Sequence, residues 1–184
     1  EDATVQKAAV FAKKLTLRTK VVSVRNVSHQ RNTGAKLAKG KWVLFFDADN
    51  RLPSYFLDGL RYQIAKQPDT DIFTTWIRVD GRGQFFRTIE QTVNFTIELY
   101  DQVDRSFAPG AMICIKRKHC RLNEFDQKKK ILEDYYFVKS AVSRGLNFSI
   151  FREPRYILSL RRYRKEALKT IAAGAVIQLR FLSQ

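Results

Sequence analysis

The stretch Trp42-Val43-Leu44-Phe45-Phe46-Asp47-Ala48-Asp49-Asn50 decides the fold and gives the first candidate site. Its unbroken apolar run predicts a buried strand, because a strand of a parallel sheet is covered on both faces. Asp47 and Asp49 follow directly, and side chains two residues apart in an extended chain point the same way. A divalent cation would relieve the repulsion between these carboxylates. The stretch therefore predicts a metal-assisted site for a phosphorylated ligand at the carboxyl end of a strand.

The segments on either side of this strand alternate between helix and strand patterns. Upstream we expect a helix over residues 3–15, a short strand over 21–24, a polar loop over 25–30 and a short helix over 31–40. Downstream we expect helices over 53–67, 84–103 and 131–145, and strands over 71–79, 109–115, 148–151 and 156–160. The polar neighbours in 84–103 favour a surface or lid helix. This alternation predicts an α/β fold with a mostly parallel central sheet flanked by helices.

The bulk composition is that of a globular protein with an anionic partner. With 184 residues, 45% of them apolar, the chain is long enough to bury a core without disulfides. Its formal net charge of +16 is large enough to require an anionic ligand or surface. Cys114 and Cys120 fit no metal-ligand spacing and are expected to be reduced thiols, and no apolar run approaches the length of a membrane span.

A second acidic pair, Glu133-Asp134, falls in the first turn of the predicted helix over 131–145. The positive end of a helix dipole favours ionised carboxylates there, and this effect alone contributes about 0.3–1 kcal/mol. Capping is therefore the simplest interpretation of the pair considered in isolation. Arg31 has a similar ambiguity, since it could fasten a loop or bind phosphate bidentately.

Four features stand in a fixed order along the chain: Arg31-Asn32-x-Gly34, Asp47-x-Asp49, Gly110-Ala111-Met112, and Phe125-Asp126 leading to Glu133-Asp134. Their order and spacing resemble the family 2 glycosyltransferases of the GT-A fold. The resemblance is carried by the segments RNTGAKLAKGKWVLFFDADNRLPSYF and EFDQKKKILEDYYFVKSAVSRG, and it covers nearly all of the chain. It implies a GT-A-like, Rossmann-like domain over residues 1–160, followed by a basic amphipathic helix over 161–184.

The resemblance also implies roles for individual residues. Asp49 would ligate Mg²⁺ or Mn²⁺ held by the diphosphate of a sugar nucleotide, and Asp47 would bond the ribose or assist the metal. Asp134, with Glu133 beside it, would be the general base of an inverting transfer. The remaining implied contacts are with the nucleotide sugar for Ala48, Arg31 and Asn32, with the acceptor for Gly110, Ala111, Met112 and Glu133, and with phosphate or membrane for Arg161 and Arg162.

The chain departs from the family pattern in three places. It lacks the first strand and its loop, and the second strand as well, so we expect an incomplete nucleobase pocket and a fragment that is inactive alone or begins upstream in the natural protein. Asn123-Glu124 replaces the usual glycine pair of the acceptor loop. The Gln-x-x-Arg-Trp motif of processive synthases is missing near the C-terminus, which favours single additions over polymerisation.

Two other functions fit parts of the pattern. In a phosphatase of the haloacid dehalogenase class, Asp47 would attack phosphate and Asp49 would act as acid and base. A non-enzymatic basic module would use the segments 116–121, 128–130 and 161–165 to bind an anionic membrane or, less favourably, nucleic acid. We expect a cytoplasmic enzyme, peripheral on the inner face of the membrane, with a UDP-linked sugar as donor and a lipid or glycan as acceptor.

Overall fold

The computed structural model describes residues 3–102, 106 and 108–160. From residue 27 onward, helices and strands alternate along the chain, as expected. The helices are α1 (Thr4–Ala9), α2 (Val27–Leu37), α3 (Phe56–Lys66), α4 (Gln84–Gln102) and α5 (Glu133–Ser143), with a 3₁₀ turn at Arg117–His119. The strands are β1 (Trp42–Phe46), β2 (Ile72–Val79), β3 (Met112–Lys116) and β4 (Phe148–Leu158). The predicted C-terminal helix over 161–184 lies outside the described residues.

The four strands form one sheet in the order β1-β3-β2-β4. Strand β3 runs antiparallel to both of its neighbours, and β2 pairs in parallel with β4. The expected mostly parallel sheet is therefore wrong in this detail, because two of the three neighbouring strand pairs among the described residues are antiparallel. Strands β1, β2 and β4 nevertheless run in one direction, so their carboxyl ends share one edge of the sheet. Apolar patterning reports burial and carries no signal for the direction of an inserted strand such as β3.

Helices cover both faces of the sheet, which confirms the interpretation of the apolar run in β1. Side chains alternate across a strand, so Val43 and Phe45 enter one core while Leu44 and Phe46 pack against the other. The first core includes Phe137, Val138 and Ala141 from α5, and the second includes Phe56 and Leu60 from α3. Both cysteines are free and buried.

Helix α4 is a surface helix, as one of the two expected alternatives has it, and because it packs on the sheet the other alternative, a lid helix, is wrong. Ile97 is fully buried, and the buried Asn94 side chain bonds both backbone groups of Ile77, at 2.8 Å to the amide and 3.0 Å to the carbonyl. Glu90 accepts a bond from the Val79 amide at 3.1 Å. These polar residues give the helix a surface-like sequence, although they face β2 and satisfy its backbone.

The segment before β1 differs most from expectation. Helix α1 contains no buried residue and ends at Ala9, and residues 21–24 form no strand, with Val21 75% exposed. Most of the predicted polar loop over 25–30 is instead the start of α2, which begins at Val27 because the Asn26 side chain caps the helix through a 2.8 Å bond from the His29 amide. Local apolar spacing cannot specify structure where nothing packs against it.

Two further boundaries follow from backbone geometry. The two predicted strands over 148–151 and 156–160 are one strand, β4, whose pairing with β2 shifts register between Thr75 and Ile77. Helix α5 begins at Glu133 because Leu132 adopts a left-handed conformation with φ of 62°. Gly145, with φ of 80°, follows its end as predicted for a terminating glycine. No helix within the described ranges is long and apolar enough to span a membrane.

Candidate active site

The candidate site is a cleft of about 790 Å³ at the edge of the sheet where β1, β2 and β4 end. Each strand contributes the residues that follow it, as ligand sites in open α/β sheets generally do. Asp47, Ala48 and Asp49 follow β1, Asp80 follows β2 and Ser159 follows β4. The lining is completed by Val27, Arg31, Arg51 and Glu133.

The loop that carries Asp47 and Asp49 is tied down by backbone bonds at both ends. The Asp47 amide donates to the Ala111 carbonyl at 3.2 Å, and Arg51 exchanges two backbone bonds with Ile157, at 3.0 and 2.8 Å. Between them, the buried Asn50 side chain accepts a 3.0 Å bond from the Ser159 amide. The two carboxylates are thus held on a fixed turn between β3 and the end of β4.

Asp47 and Asp49 fit a Mg²⁺ or Mn²⁺ ion that shares its coordination with a ligand. No group of three or more His, Cys, Asp or Glu side chains that could hold a metal occurs in the part of the chain that the structure describes. Mg²⁺ is commonly bound by only one or two carboxylates, together with water and substrate phosphates. The donor set therefore suits a metal that arrives with a diphosphate better than a permanently enclosed ion.

Arg31 lies between the two acidic pairs. Its Nη1 donates to Glu133 Oε1 at 3.2 Å, and its Nη2 donates to Asp47 Oδ1 at 3.3 Å and to the Gly110 carbonyl at 2.8 Å. The side chain is only 11% exposed. One guanidinium thus joins the loop after β1, the turn before β3 and the first turn of α5.

Asp134 follows Glu133 in α5, lies next to the cleft lining and accepts a hydrogen bond from the turn before β3. Its Oδ2 accepts from the Gly110 amide at 2.7 Å, and its Oδ1 accepts from the Tyr135 amide at 2.8 Å. Burial raises the pKa of Asp134, the neighbouring Glu133 charge adds to the rise, and the two amide bonds and Arg31 oppose it. A carboxylate with a raised pKa is a stronger base than one in water, which suits a proton acceptor.

The left-handed conformation of Leu132 sets the direction of the backbone at the start of α5, where this acidic pair lies. Such a conformation costs a non-glycine residue roughly 1–2 kcal/mol, and strained residues of this kind occur often at functional sites. Because Leu132 precedes Glu133 directly, the sharp turn ends the preceding loop and starts α5 at the cleft.

Asn32 has a different position from the one that the family resemblance implies. It is buried, and its amide makes two bonds to the backbone of Phe125, at 2.8 Å to the carbonyl and 2.9 Å from the amide. Its position therefore does not support a contact with the nucleotide. Instead, Asn32 fixes the loop that carries Phe125, whose ring lies 5.1 Å from the Arg31 guanidinium carbon.

The structure brings together most of the residues that the sequence singled out. Arg31, Asp47, Ala48, Asp49 and Glu133 line the cleft, and Gly110 and Asp134 lie next to it through the bonds described above.

The Met112 side chain is fully buried in the core, so its position does not support the implied acceptor contact for that side chain. Arg161 and Arg162 lie outside the described residues.

Sequence reasoning missed Arg51, Asp80, Asn50 and Ser159. Asp80 could have been found, because it follows the predicted strand over 71–79 just as Asp47 follows β1. An Arg51–Asp80 ion pair of 2.9 Å forms part of the cleft lining. Nothing in the local pattern indicates that Asn50 bonds the Ser159 amide, since the two residues are 109 positions apart.

Comparison with known proteins identifies relatives of this chain. A sequence model of the family described as Glycosyl transferase family 2 matches residues 1–151. The poly(ribitol-phosphate) beta-N-acetylglucosaminyltransferase TarP of Staphylococcus aureus strain N315 is 27% identical over 139 residues, which make up 72% of this chain and 41% of TarP. The chain therefore spans less than half the length of this curated relative.

Solved structures share the fold. Residues 1–349 of S. aureus TarS superpose with a TM-score of 0.69 at 19% identity, over 94% of this chain and 52% of that one. A mannosyltransferase from Pyrobaculum calidifontis, PcManGT, in complex with GDP-Man and Mn²⁺, superposes with a TM-score of 0.61 at 16% identity, over 86% of this chain and 44% of that one. At such low identity the likeness concerns the fold alone, and it confirms the expected GT-A-like α/β architecture.

Proposed function

The chain belongs to glycosyl transferase family 2, and from that premise we propose that its protein transfers a sugar from a nucleotide-sugar donor to a hydroxyl acceptor, with a divalent metal and with inversion. The observation that carries this proposal is the position of two acidic pairs around one cleft, joined by Arg31. We call the part formed by Asp47 and Asp49 the donor side, and the part formed by Glu133 and Asp134 the acceptor side.

The donor side would bind the diphosphate of the nucleotide sugar. Asp49 and Asp47 would hold Mg²⁺ or Mn²⁺ there, and the metal would supply positive charge for the negative charge that develops on the departing diphosphate. The Mn²⁺ complex of PcManGT supports this assignment, since that protein has a similar fold. The fixed turn around Asn50 would hold the two carboxylates in place as the ligand binds.

The acceptor side would activate the hydroxyl. A sugar hydroxyl is a weak nucleophile, and a base within hydrogen-bond reach takes its proton as the new bond forms. Asp134 would receive this proton while the acceptor oxygen bonds the anomeric carbon and the bond from that carbon to the diphosphate oxygen breaks. A single displacement from the face opposite the leaving group inverts the anomeric configuration.

The charge of the chain favours an acceptor that carries phosphate. A formal net charge of +16 would attract a polyanion, and the relative TarP is named for a poly(ribitol-phosphate) acceptor and an N-acetylglucosamine donor sugar. We therefore infer a UDP-linked sugar as donor and a phosphate-bearing glycan or lipid as acceptor.

The same basic character supports peripheral contact with an anionic membrane. The basic segment 116–121 begins beside Trp42, at the end of β1 remote from the cleft. A membrane bound there would leave the cleft open.

Two substitutions separate the proposed roles in the full-length protein. We expect Asp49→Asn to abolish the Mn²⁺-dependent binding of UDP-N-acetylglucosamine in calorimetry. We expect Asp134→Asn to stop transfer while donor binding stays largely intact. Asp58→Asn is a matched control, because Asp58 is an exposed helical aspartate that pairs with Arg61 across one turn, outside the cleft lining.

The opposite pattern would contradict the proposal. If Asp134→Asn loses donor binding and Asp49→Asn keeps it, the donor and acceptor sides are assigned wrongly. If UDP-N-acetylglucosamine, GDP-mannose and Mn²⁺ leave the melting temperature unchanged while oligonucleotides raise it, the protein is a basic binding module.

A further inference from the structure

We propose that Arg31 is a positioning residue that joins the donor side of the cleft to the acceptor side, and that its main task is not to bind phosphate. The proposal rests on the glycosyl transfer proposed above, and it assigns a task to a side chain that contacts residues of both acidic pairs. Arginine suits this task because its planar fork presents N–H groups in fixed directions.

The guanidinium is committed to groups of the protein. Its Nη atoms donate three hydrogen bonds, to Glu133, to Asp47 and to the Gly110 carbonyl, with donor–acceptor distances of 2.8 to 3.3 Å. With only 11% of the side chain exposed, little of it is available to a ligand. A residue whose purpose is to bind phosphate would instead present most of its donors to the cleft.

The aromatic ring of Phe125 supports the Arg31 guanidinium on one side. The Phe125 ring lies 5.1 Å from the guanidinium carbon and stacks on Phe137, with ring centroids 3.9 Å apart. The Phe125 backbone is held in turn by both atoms of the Asn32 amide. The adjacent residues Arg31 and Asn32 thus use one loop in two ways, since Asn32 fixes its backbone and Arg31 rests on its ring.

Gly110 is hydrogen-bonded to both Arg31 and Asp134 and so links the positions of the two side chains. Its carbonyl accepts from Arg31, and its amide donates to Asp134 Oδ2 at 2.7 Å. A Cβ at this position would lie 2.9 Å from Asp134 Oδ2 and 3.2 Å from Arg31 Nη2, so only glycine permits this approach. A shift of Arg31 therefore moves the peptide that holds the proposed base.

The same arrangement affects the charge on the acceptor side. Arg31 lies among the carboxylates of Asp47, Glu133 and Asp134, and its positive charge opposes the rise that burial causes in the pKa of Asp134. Loss of the guanidinium would leave Glu133 and Asp134 with less compensation.

The test is Arg31→Lys, which keeps the charge and removes the planar fork. With UDP-N-acetylglucosamine, Mn²⁺ and the full-length protein, we expect kcat to fall on the order of 100-fold, with less than a threefold change in donor Kd. We also expect the acid limb of the kcat profile to move to higher pH, because a single ammonium group cannot contact Glu133, Asp47 and the Gly110 carbonyl together and so compensates the acceptor-side carboxylates less. In ¹⁵N-glycine-labelled protein without ligand, the Gly110 amide resonance should shift, because its bond to Asp134 is disturbed.

Arg155→Lys is the matched control. Arg155 is also a partly buried arginine that pairs with two glutamates and lies 4.9 Å from an aromatic ring, that of Trp76, and it lies outside the cleft lining. We expect this variant to leave kcat, donor Kd and the Gly110 resonance unchanged.

Two outcomes would overturn the proposal. One is a tenfold or greater loss of donor affinity in Arg31→Lys with an unchanged pH profile, which would make Arg31 a phosphate ligand. The other is an unmoved Gly110 resonance. Failure of the proposed function looks different, because the wild-type protein would then neither bind the donor nor transfer sugar, whatever the state of Arg31.

Discussion

At the scale of single residues, Asp134 is a carboxylate next to the cleft whose buried environment differs clearly from water. Burial raises its pKa above the usual value of about 3.9. The proposed base must be ionised to accept a proton, so we predict that kcat falls on acidification with an apparent pKa above that of a free aspartate. A pH–rate profile measured at saturating donor checks this, and an acid limb at or below pH 4 would contradict it.

The same shift has a consequence for stability, with the opposite dependence on pH. A raised folded-state pKa means that folding favours the protonated carboxyl, so the contribution of Asp134 is fully present at low pH. It is lost as the pH rises through the folded value. Activity and stability at this residue therefore require different protonation states.

Gly110 gives a second prediction at the residue scale. In Gly110→Ala the new methyl group would press against Asp134 and Arg31, at the distances given above. The two nearest atoms, Asp134 Oδ2 and Arg31 Nη2, are side-chain ends that can shift, and the third, the Asp134 Cβ, is 3.3 Å away. We therefore expect the variant to fold and its kcat to fall on the order of 100-fold.

Gly34→Ala is the control for Gly110→Ala. Gly34 lies inside α2, and nothing lies within 4 Å of an added Cβ there. We expect a gain of about 0.5–1 kcal/mol in the free energy of unfolding, measured by denaturant titration, with kcat unchanged. Equal activity losses in both variants would argue against a specific role for Gly110.

At the scale of elements, α4 shows how polar residues can attach a helix to a sheet. Asn94→Ala would leave the amide and carbonyl of Ile77 without their side-chain partner. Unsatisfied buried backbone groups are costly, so we predict a loss of about 2–3 kcal/mol in the free energy of unfolding. Thermal denaturation measures this loss, and Gln91→Ala, at an exposed position of the same helix, should change the midpoint little. Similar midpoints for the two variants would contradict this account of α4.

The elements also explain what could be predicted from the sequence. The helices α3 and α5 have periodic apolar patterns, the strands β1 and β2 have strand-forming runs with clear ends, and each of the four occurs close to its expected range. The errors fall where long-range contacts decide. Asn94 looks like a surface residue until its contact with Ile77 is known, and residues 21–24 have strand-forming side chains without a neighbouring strand among the described residues.

At the scale of the whole molecule, the direction of the strands assembles the cleft. Because β1, β2 and β4 share a direction, residues separated by more than a hundred positions meet at one edge, as Asn50 and Ser159 do. The two acidic pairs at the site could be identified from the sequence, since each pair follows or begins an element with a strong pattern. The bonds from Arg31 to both acidic pairs could not, because they depend on how α2, β1 and α5 pack together.

The most direct test of the central claim is a crystal structure of the full-length protein with UDP-N-acetylglucosamine and Mn²⁺, measured with anomalous diffraction. The account predicts a manganese peak in contact with Asp49 and the diphosphate, and the anomeric carbon of the sugar on the side of the cleft that faces Glu133 and Asp134. A manganese peak away from Asp49, or a sugar bound on a different face from Asp134, would contradict it.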